Sequence, residues 1–354
     1  HAEDRIAAGL PDLEESVKFS NVSVISVAHA DAPHRVPSRW IEEQLAPTME
    51  RLAIKPGLLE GLSGIVERRW WDEGTMPSDA ATKAAEIAIE RAGVDRERIG
   101  MIVNTSVCRD YLEPSTACLV HGNLGLSPHC MNMDVGNACL AFLNGMDIVS
   151  AMIERGAIDY GLVVDGEGSR YAITRTIERL QSPDCDAKTF RDNFATLTLG
   201  SGGAAMVLGR TAEHPDAHPY LGGVTLAASE HNRLCIGQPD HMVTDTRKLL
   251  LAGLSLAQQT FERAKVELGW SVDELSELCL HQVSKVHTEQ LCELLGLPME
   301  KALTIYPEFG NVGPASIAMV LSKAVEQGRI ARGSRVALMG IGSGLNCAMS
   351  EVRW

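Results

Sequence analysis

The sequence predicts an α/β protein made of two duplicated halves, and three observations lead there. First, Cys130-Met-Asn-Met-Asp-Val135 reads as a short buried strand, and the run from Cys139 through Ile153 is apolar on every face. A helix apolar all round belongs in the middle of a large protein. Second, Glu154-Arg-Gly-Ala-Ile158 recurs as Glu326-Gln-Gly-Arg-Ile330 at an offset of 172 residues, each piece closing a long helix before an apolar strand. That register sets Cys139 opposite Asn311, and a duplicated βαβ-type unit is the simplest account of it. Third, 354 residues with 45% hydrophobic content, 32 Gly and 15 Pro can bury a large core but imply many connections rather than a helical bundle.

In chain order, Phe19-Ser-Asn-Val-Ser-Val-Ile-Ser-Val27 alternates as a strand. Pro37-Ser-Arg-Trp-Ile opens a helix with Ser38 as the expected N-cap. Residues 78–93 form a capped helix stopped by Gly93, with Ala81, Ala84, Ala85 and Ala88 on one face. Such a face can pack very close to a sheet. Ile99-Gly-Met-Ile-Val-Asn-Thr105 is a buried strand, residues 115–124 a short helix, and residues 169–195, charged and irregular around Pro183 and Asp184, an excursion or lid. The chain then returns to a strand through the glycine turn before Leu208. Further on, Val272-Asp273 before the strand of Cys279 matches Val94-Asp95 before the strand of Met101. Two such halves would meet through their central helices in a five-layer αβαβα sandwich.

The formal net charge is −14, with no basic run and no basic–aromatic interleaving, which argues against a nucleic-acid partner. Nine Cys, odd in number and without Cys-x-x-Cys, point to reduced thiols in a cytoplasmic protein and supply no metal-ligand spacing. No segment reaches the roughly 18 uninterrupted apolar residues of a membrane span. Residues 1–18 begin without Met, are mixed in charge, and read as a loose leader.

Cys139 falls where a strand turns sharply through Gly136 and Asn137 into the buried helix. The first turn of a helix carries unpaired N–H groups and the positive end of the dipole, a setting that favours a thiolate. A lone Cys in an apolar segment is also an ordinary small core residue, so this stretch alone leaves both readings open. His281 ends the apolar strand Leu278-Cys-Leu-His281, and Asn311 is the repeat partner of Cys139. All three fall at strand ends or helix starts, where α/β folds build their sites.

Four ordered motifs carry a resemblance: Gly-Asn-Ala-Cys139, His281-Gln-Val-Ser, Gly-Asn311-Val-Gly-Pro-Ala-Ser, and the terminal Gly340-Ile-Gly-Ser-Gly-Leu-Asn346. In order and spacing they resemble the thiolase superfamily. Within it, from about residue 19 to Trp354, the chain resembles the ketoacyl synthase III branch, and most closely the olefin-pathway acyl-CoA condensing enzymes (OleA type). It departs from ordinary ketoacyl synthase III enzymes in a longer segment between Trp40 and Gly64, and in Leu112-Glu-Pro-Ser-Thr-Ala117. Glu113 of that piece resembles the acid that the olefin enzymes contribute from a partner subunit. The resemblance implies an N-terminal half over 19–212 with the nucleophile and a C-terminal half over 213–354 with His281 and Asn311. It also implies a homodimer.

The implied chemistry suits these residue types. Cys139 attacks one acyl-CoA and keeps the thioester energy in an acyl-enzyme. By the family pattern the backbone N–H groups of Cys139 and Ser343 hold the oxyanion. The second acyl-CoA has no carboxylate to expel as CO2 and must lose an α proton, so a base is needed: Glu113, with His281 and Asn311 donating to the enolate oxygen. Long-chain acyl-CoA molecules are then substrates, no cofactor or metal is expected, and downstream pathway enzymes are candidate partners. The glycines at 340–344 are followed by a strand-like segment, against a dinucleotide loop. A decarboxylating 3-oxoacyl-carrier-protein synthase III would use the same Cys139, His281 and Asn311 without Glu113. A non-catalytic acyl-binding scaffold is the reading from a different class.

Overall fold

The computed structural model describes residues 16–354. The first part of the chain runs through β1 (Ser16–Lys18), β2 (Val22–Asp31), β3 (His34–Pro37), α1 (Ser38–Gln44), α2 (Ala46–Arg51), α3 (Leu58–Ser63), β4 (Glu67–Trp70), α4 (Pro77–Ala92), β5 (Ile99–Asn104), α5 (Thr116–Leu124), β6 (Met131–Asp134), α6 (Ala141–Glu154), β7 (Tyr160–Glu167), α7 (Arg170–Leu180), α8 (Ala187–Asn193) and β8 (Gly202–Arg210). The second part follows with β9 (His218–Ala227), β10 (Cys235–Gln238), β11 (His241–Thr244), α9 (Thr246–Glu267), β12 (Leu275–Leu280), α10 (Lys285–Leu295), α11 (Tyr306–Phe309), α12 (Ala315–Glu326), β13 (Arg335–Gly342) and β14 (Asn346–Arg353). Of the leader expected over residues 1–18, the first fifteen lie outside the described residues, and Ser16–Lys18 pair with β9.

The duplication is visible in the strand pairings. One half-sheet runs β6-β5-β7-β8-β2 and the other β12-β13-β14-β9. In both, a parallel pair (β5 with β7, β12 with β13) is followed by two antiparallel pairings (β7–β8–β2, β13–β14–β9). A short bridge of β2 to β9, Ser23 opposite Pro219 and Val24 opposite His218, joins them.

Successive side chains of a strand point to opposite faces of its sheet, and here the alternation sorts residues into layers. Met101, Val163, Met206 and Leu208 face inward with α6 and α12, while Ile102, Leu162, Val164, Ala205 and Val207 face outward under α4 and α5. In the other half Cys279, Val336, Leu338 and Ala348 face the same central helices, and Leu278, Ala337, Met339 and Met349 pack beneath α9 and α10. The sequence of layers is therefore helix, sheet, paired central helices, sheet, helix. Every residue of α12 from Ala315 to Ser322 is buried. Helix α6 is buried on the side of Phe142, Met146, Val149 and Ile153 but leaves Asn144, Ile148 and Ala151 open along one face.

Helix α4 comes as near its sheet as its alanine face allows. Ala81, Ala84, Ala85 and Ala88 are fully buried, and a Cβ added to Gly166 or Gly203 beneath them would lie 2.0 Å from the Pro77 carbonyl oxygen or 2.5 Å from that of Ala80. Gly166→Ala should therefore cost about 1–3 kcal/mol, the usual range for overpacking. Thermal unfolding checks it, and an unchanged Tm would mean that α4 yields.

Three local expectations change. Ser38 is the first helical residue, not the cap: Pro37 caps α1, and the Ser38 hydroxyl donates to the Ile65 carbonyl. The strand before Cys139 is not buried, because β6 is the last strand of its half-sheet, and Met131 and Met133 are 40% and 39% exposed. Residues 169–195 are not irregular but form α7 and α8, whose Ile173, Ile177, Leu180 and Phe190 pack against Val36, Ile41, Leu59 and Trp70 of the early segment. No helix among the described residues is long and apolar enough to cross a membrane.

Candidate active site

Strand β6 ends at Asp134, whose carboxylate accepts from the N–H groups of Thr116 and Ala117, tying the start of α5 to the segment before the nucleophile. The chain then turns through Ala138, a non-glycine residue at φ 45°, before α6. Such a conformation is strained for a side-chain-bearing residue and persists only where the surroundings impose it. The turn is braced by Asn137, whose amide donates to Asn144 and whose side-chain oxygen accepts from Asn346 across the two halves. Cys139, half-buried, emerges from that turn.

The second half brings its residues to the same place. His281 follows β12, its N–H bonded to the Met339 carbonyl, and is 8% exposed. Asn311 precedes α12, its N–H bonded to the Thr198 carbonyl and its side-chain oxygen accepting from the Gly313 N–H at 3.0 Å. The approach of this turn to the first half demands glycine, since a Cβ on Gly200 would lie 1.7 Å from the Phe309 carbonyl oxygen. Ser343 follows β13 in the glycine turn. Cys139, His281, Asn311 and Ser343 all line one cavity, of about 150 Å3. Away from them its walls are mostly apolar, supplied by Leu249, Leu254 and Leu291 of the outer helices and by Met339, Leu345 and Met349 at the sheet, with His287 and several threonines among them.

Glu113 is not among these residues. It lies in the exposed loop between β5 and α5, next to Leu112 at 95% exposure and Tyr111 at 56%. The four residues that line the cavity are thus brought together within one chain, and the fifth is turned outward.

The electrostatics correct one expectation and add two residues. Burial pushes the Cys139 thiol up to about 12, with the Glu167 and Asp165 carboxylates adding to the rise. The helix start does not by itself yield a thiolate. Burial drives His281 the other way, down to about 4, with His287 contributing, so its imidazole is neutral at neutral pH. His281 and Cys139 line the same cavity, so a neutral imidazole is available there to take the proton as the sulfur attacks. Asp165 and Glu167, at the end of β7, were not singled out from the sequence. Asp165 accepts from the Thr105 hydroxyl at 2.6 Å, and burial raises Glu167 to about 7 against the hydrogen bonds it accepts. Their signal was two acids closing an otherwise apolar strand, Leu162-Val-Val-Asp165-Gly-Glu167.

Residues 266–354 match the family model for the C-terminal part of 3-oxoacyl-[acyl-carrier-protein (ACP)] synthase III. An acyl-CoA:acyl-CoA alkyltransferase of Xanthomonas campestris pv. campestris is 54% identical over 336 residues, covering 95% of this chain and 99% of the relative. The chain belongs to the OleA family of acyl-CoA:acyl-CoA alkyltransferases. A second member, from Shewanella oneidensis, is 36% identical over 350 residues, covering 96% of this chain and all of its own. The crystal structure of the cerulenin-bound Xanthomonas OleA superposes with a TM-score of 0.94 at 54% identity, covering 95% of this chain and 98% of that one. Other crystal structures of the Xanthomonas OleA carry replacements of a cysteine, a histidine or a glutamate. This OleA-family chain is a thiolase-superfamily condensing enzyme, and its layered architecture is that of the family.

Proposed function

We infer that the protein joins two long-chain fatty acyl-CoA molecules by a non-decarboxylative Claisen condensation. The observation that carries this is a cavity that begins at Cys139, His281 and Asn311 and continues between leucine and methionine side chains, in a chain of the OleA family. The Cys139 sulfur attacks the first thioester and CoA leaves as its thiol, taking up the proton that His281 receives from Cys139. The N–H groups of Cys139 and Ser343 hold the oxyanion. A base removes an α proton from the second acyl-CoA, and His281 and Asn311 donate to the enolate oxygen. The enolate carbon bonds to the acyl carbon as the bond to Cys139 sulfur breaks, and hydrolysis of the remaining thioester frees a 2-alkyl-3-oxo acid and the second CoA.

The base is Glu113, acting from a partner chain in a homodimer. Three features support this: its outward position, the apolar surface left by Tyr111, Leu112, Met131 and Met133, and the unpaired edge of β6. Exposed edges and contiguous apolar surface are what interfaces cover. That the Xanthomonas relative has been studied with a cysteine, a histidine and a glutamate replaced accords with the same trio here. The unpaired cysteines fit a reducing compartment, the cytoplasm. Downstream enzymes of head-to-head hydrocarbon synthesis would take the product.

Supplying myristoyl-CoA alone tests the function. The expected product is the 2-alkyl-3-oxo acid of two myristoyl units, with two CoA released per condensation. If product forms only when malonyl-carrier protein is added, the decarboxylating synthase is the correct assignment.

A further inference from the structure

Glu167 ends β7, and among the described residues it is hydrogen-bonded by backbone N–H groups and forms no ion pair. Its side chain is 5% exposed, and its two oxygens accept from the N–H groups of Val107 at 2.6 Å and Cys108 at 3.3 Å. Carboxylates are seldom buried without a counter-ion, so the two N–H groups it holds deserve following along the chain. Val107 and Cys108 are the root of the loop that ends in Glu113 and Pro114. Two further carboxylates fix the same loop. Asp110 accepts from the N–H and hydroxyl of Ser78, at 2.9 and 2.5 Å, and Asp134 takes the N–H groups of Thr116 and Ala117 at 3.0 and 2.8 Å. Between the Asp110 and Asp134 clamps Tyr111 to Pro114 project, all four exposed.

Glu167 is the clamp that also reaches the chain's own site. A Cβ on Gly313, in the turn held by Asn311, would lie 3.5 Å from the Glu167 carboxyl carbon. We propose that Glu167 is a positioning residue that, through the N–H groups of Val107 and Cys108, sets where Glu113 of its own chain stands over the partner's nucleophile. This rests on the reading of Glu113 as a base acting across a dimer. An isosteric amide can accept only with its oxygen, and its NH2 would face a backbone N–H, so one of the two bonds is lost and the loop root is displaced. Misplacing a reacting group by about 1 Å costs on the order of a hundredfold. Glu167→Gln should accordingly lower condensation about 10- to 100-fold per acylated Cys139; because the carboxylate also bears on that thiol, the extent of acylation is measured alongside and divided out.

Mixed dimers, purified through two different tags, decide which chain carries the defect. Pairing a Cys139→Ala chain with a Glu167→Gln chain leaves one nucleophile, served by a Glu113 whose clamp is intact; condensation per acylated nucleophile should match the parent. Placing both substitutions on one chain and pairing it with the parent leaves a nucleophile served by the loosened Glu113, and the full defect should return. The opposite assortment would mean that Glu167 acts directly on its own Cys139 and would overturn the proposal, as would equal defects in both mixed dimers. Glu113→Gln, substituted for Glu167→Gln in the same pairs, is the control. If the control assorts by chain and Glu167→Gln does not, only this proposal falls; if the control itself fails to assort, the trans base is wrong and the proposal falls with it. Glu167→Asp keeps the charge but shortens the reach by one methylene, and carries the same test should the amide variant not accumulate.

Discussion

Replacing Cys139 with alanine is expected to abolish acyl transfer altogether, with no adduct on the intact protein after mixing with myristoyl-CoA and condensation reduced by about four to six orders of magnitude. Losing a covalent nucleophile removes the entire two-step route, not one stabilising contact, and residual catalysis comes only from binding and the oxyanion donors. The structure makes the expectation specific to one thiol among nine. Cys130, Cys185, Cys279, Cys292 and Cys347 are buried, Cys108 and Cys118 do not line the cavity, and of Cys139, Cys235 and Cys347, which do, only Cys139 stands at a helix start in the cavity that His281 and Asn311 also line. The parent should show one adduct of myristoyl mass per chain. An undiminished adduct in Cys139→Ala would move the nucleophile elsewhere, Cys235 being the next to examine.

Glu113→Gln should leave that adduct intact and lower condensation by about two to four orders of magnitude, the range for losing a general base. Removing a proton beside a thioester requires a base, and the cavity of a single chain provides no carboxylate among its lining residues. On the proposed reading, Glu113 of one chain does this work beside the partner's nucleophile. The signature is a burst of one CoA per nucleophile followed by little turnover. Condensation at the parent rate would remove Glu113 from the mechanism and return the decarboxylating route to consideration.

Much of this was legible because it rested on periodicity and repetition. The offset of 172 residues correctly paired the central helices, and the alanines of α4 announced its close packing on β7 and β8. What failed depended on neighbours distant in sequence. Met131 and Met133 read as core because nothing local tells an edge strand from a central one. Ile173, Ile177 and Leu180 already had helical spacing, but the charges between them and the Pro183-Asp184 break obscured it. The thiolate expected at Cys139 considered only its own helix. The opposing burial and carboxylates come from the tertiary packing of β7 against it.

The placement of β14 has a consequence for the order of events during synthesis. This strand lies between β13 and β9, in the interior of its half-sheet, and Leu345, Cys347 and Met349 at and along it line the cavity. A nascent chain that has already exposed Cys139, His281 and Asn311 to solvent therefore still lacks the strand that closes the sheet and walls the acyl chamber. Domains generally assemble as units as the polypeptide emerges, yet here the C-terminal half-sheet stays incomplete, β13 and β9 unbridged, until β14 itself is available. Truncation anywhere before β14 would not yield a weakened enzyme but an unfinished one, with apolar surface of both halves left for chaperones to cover.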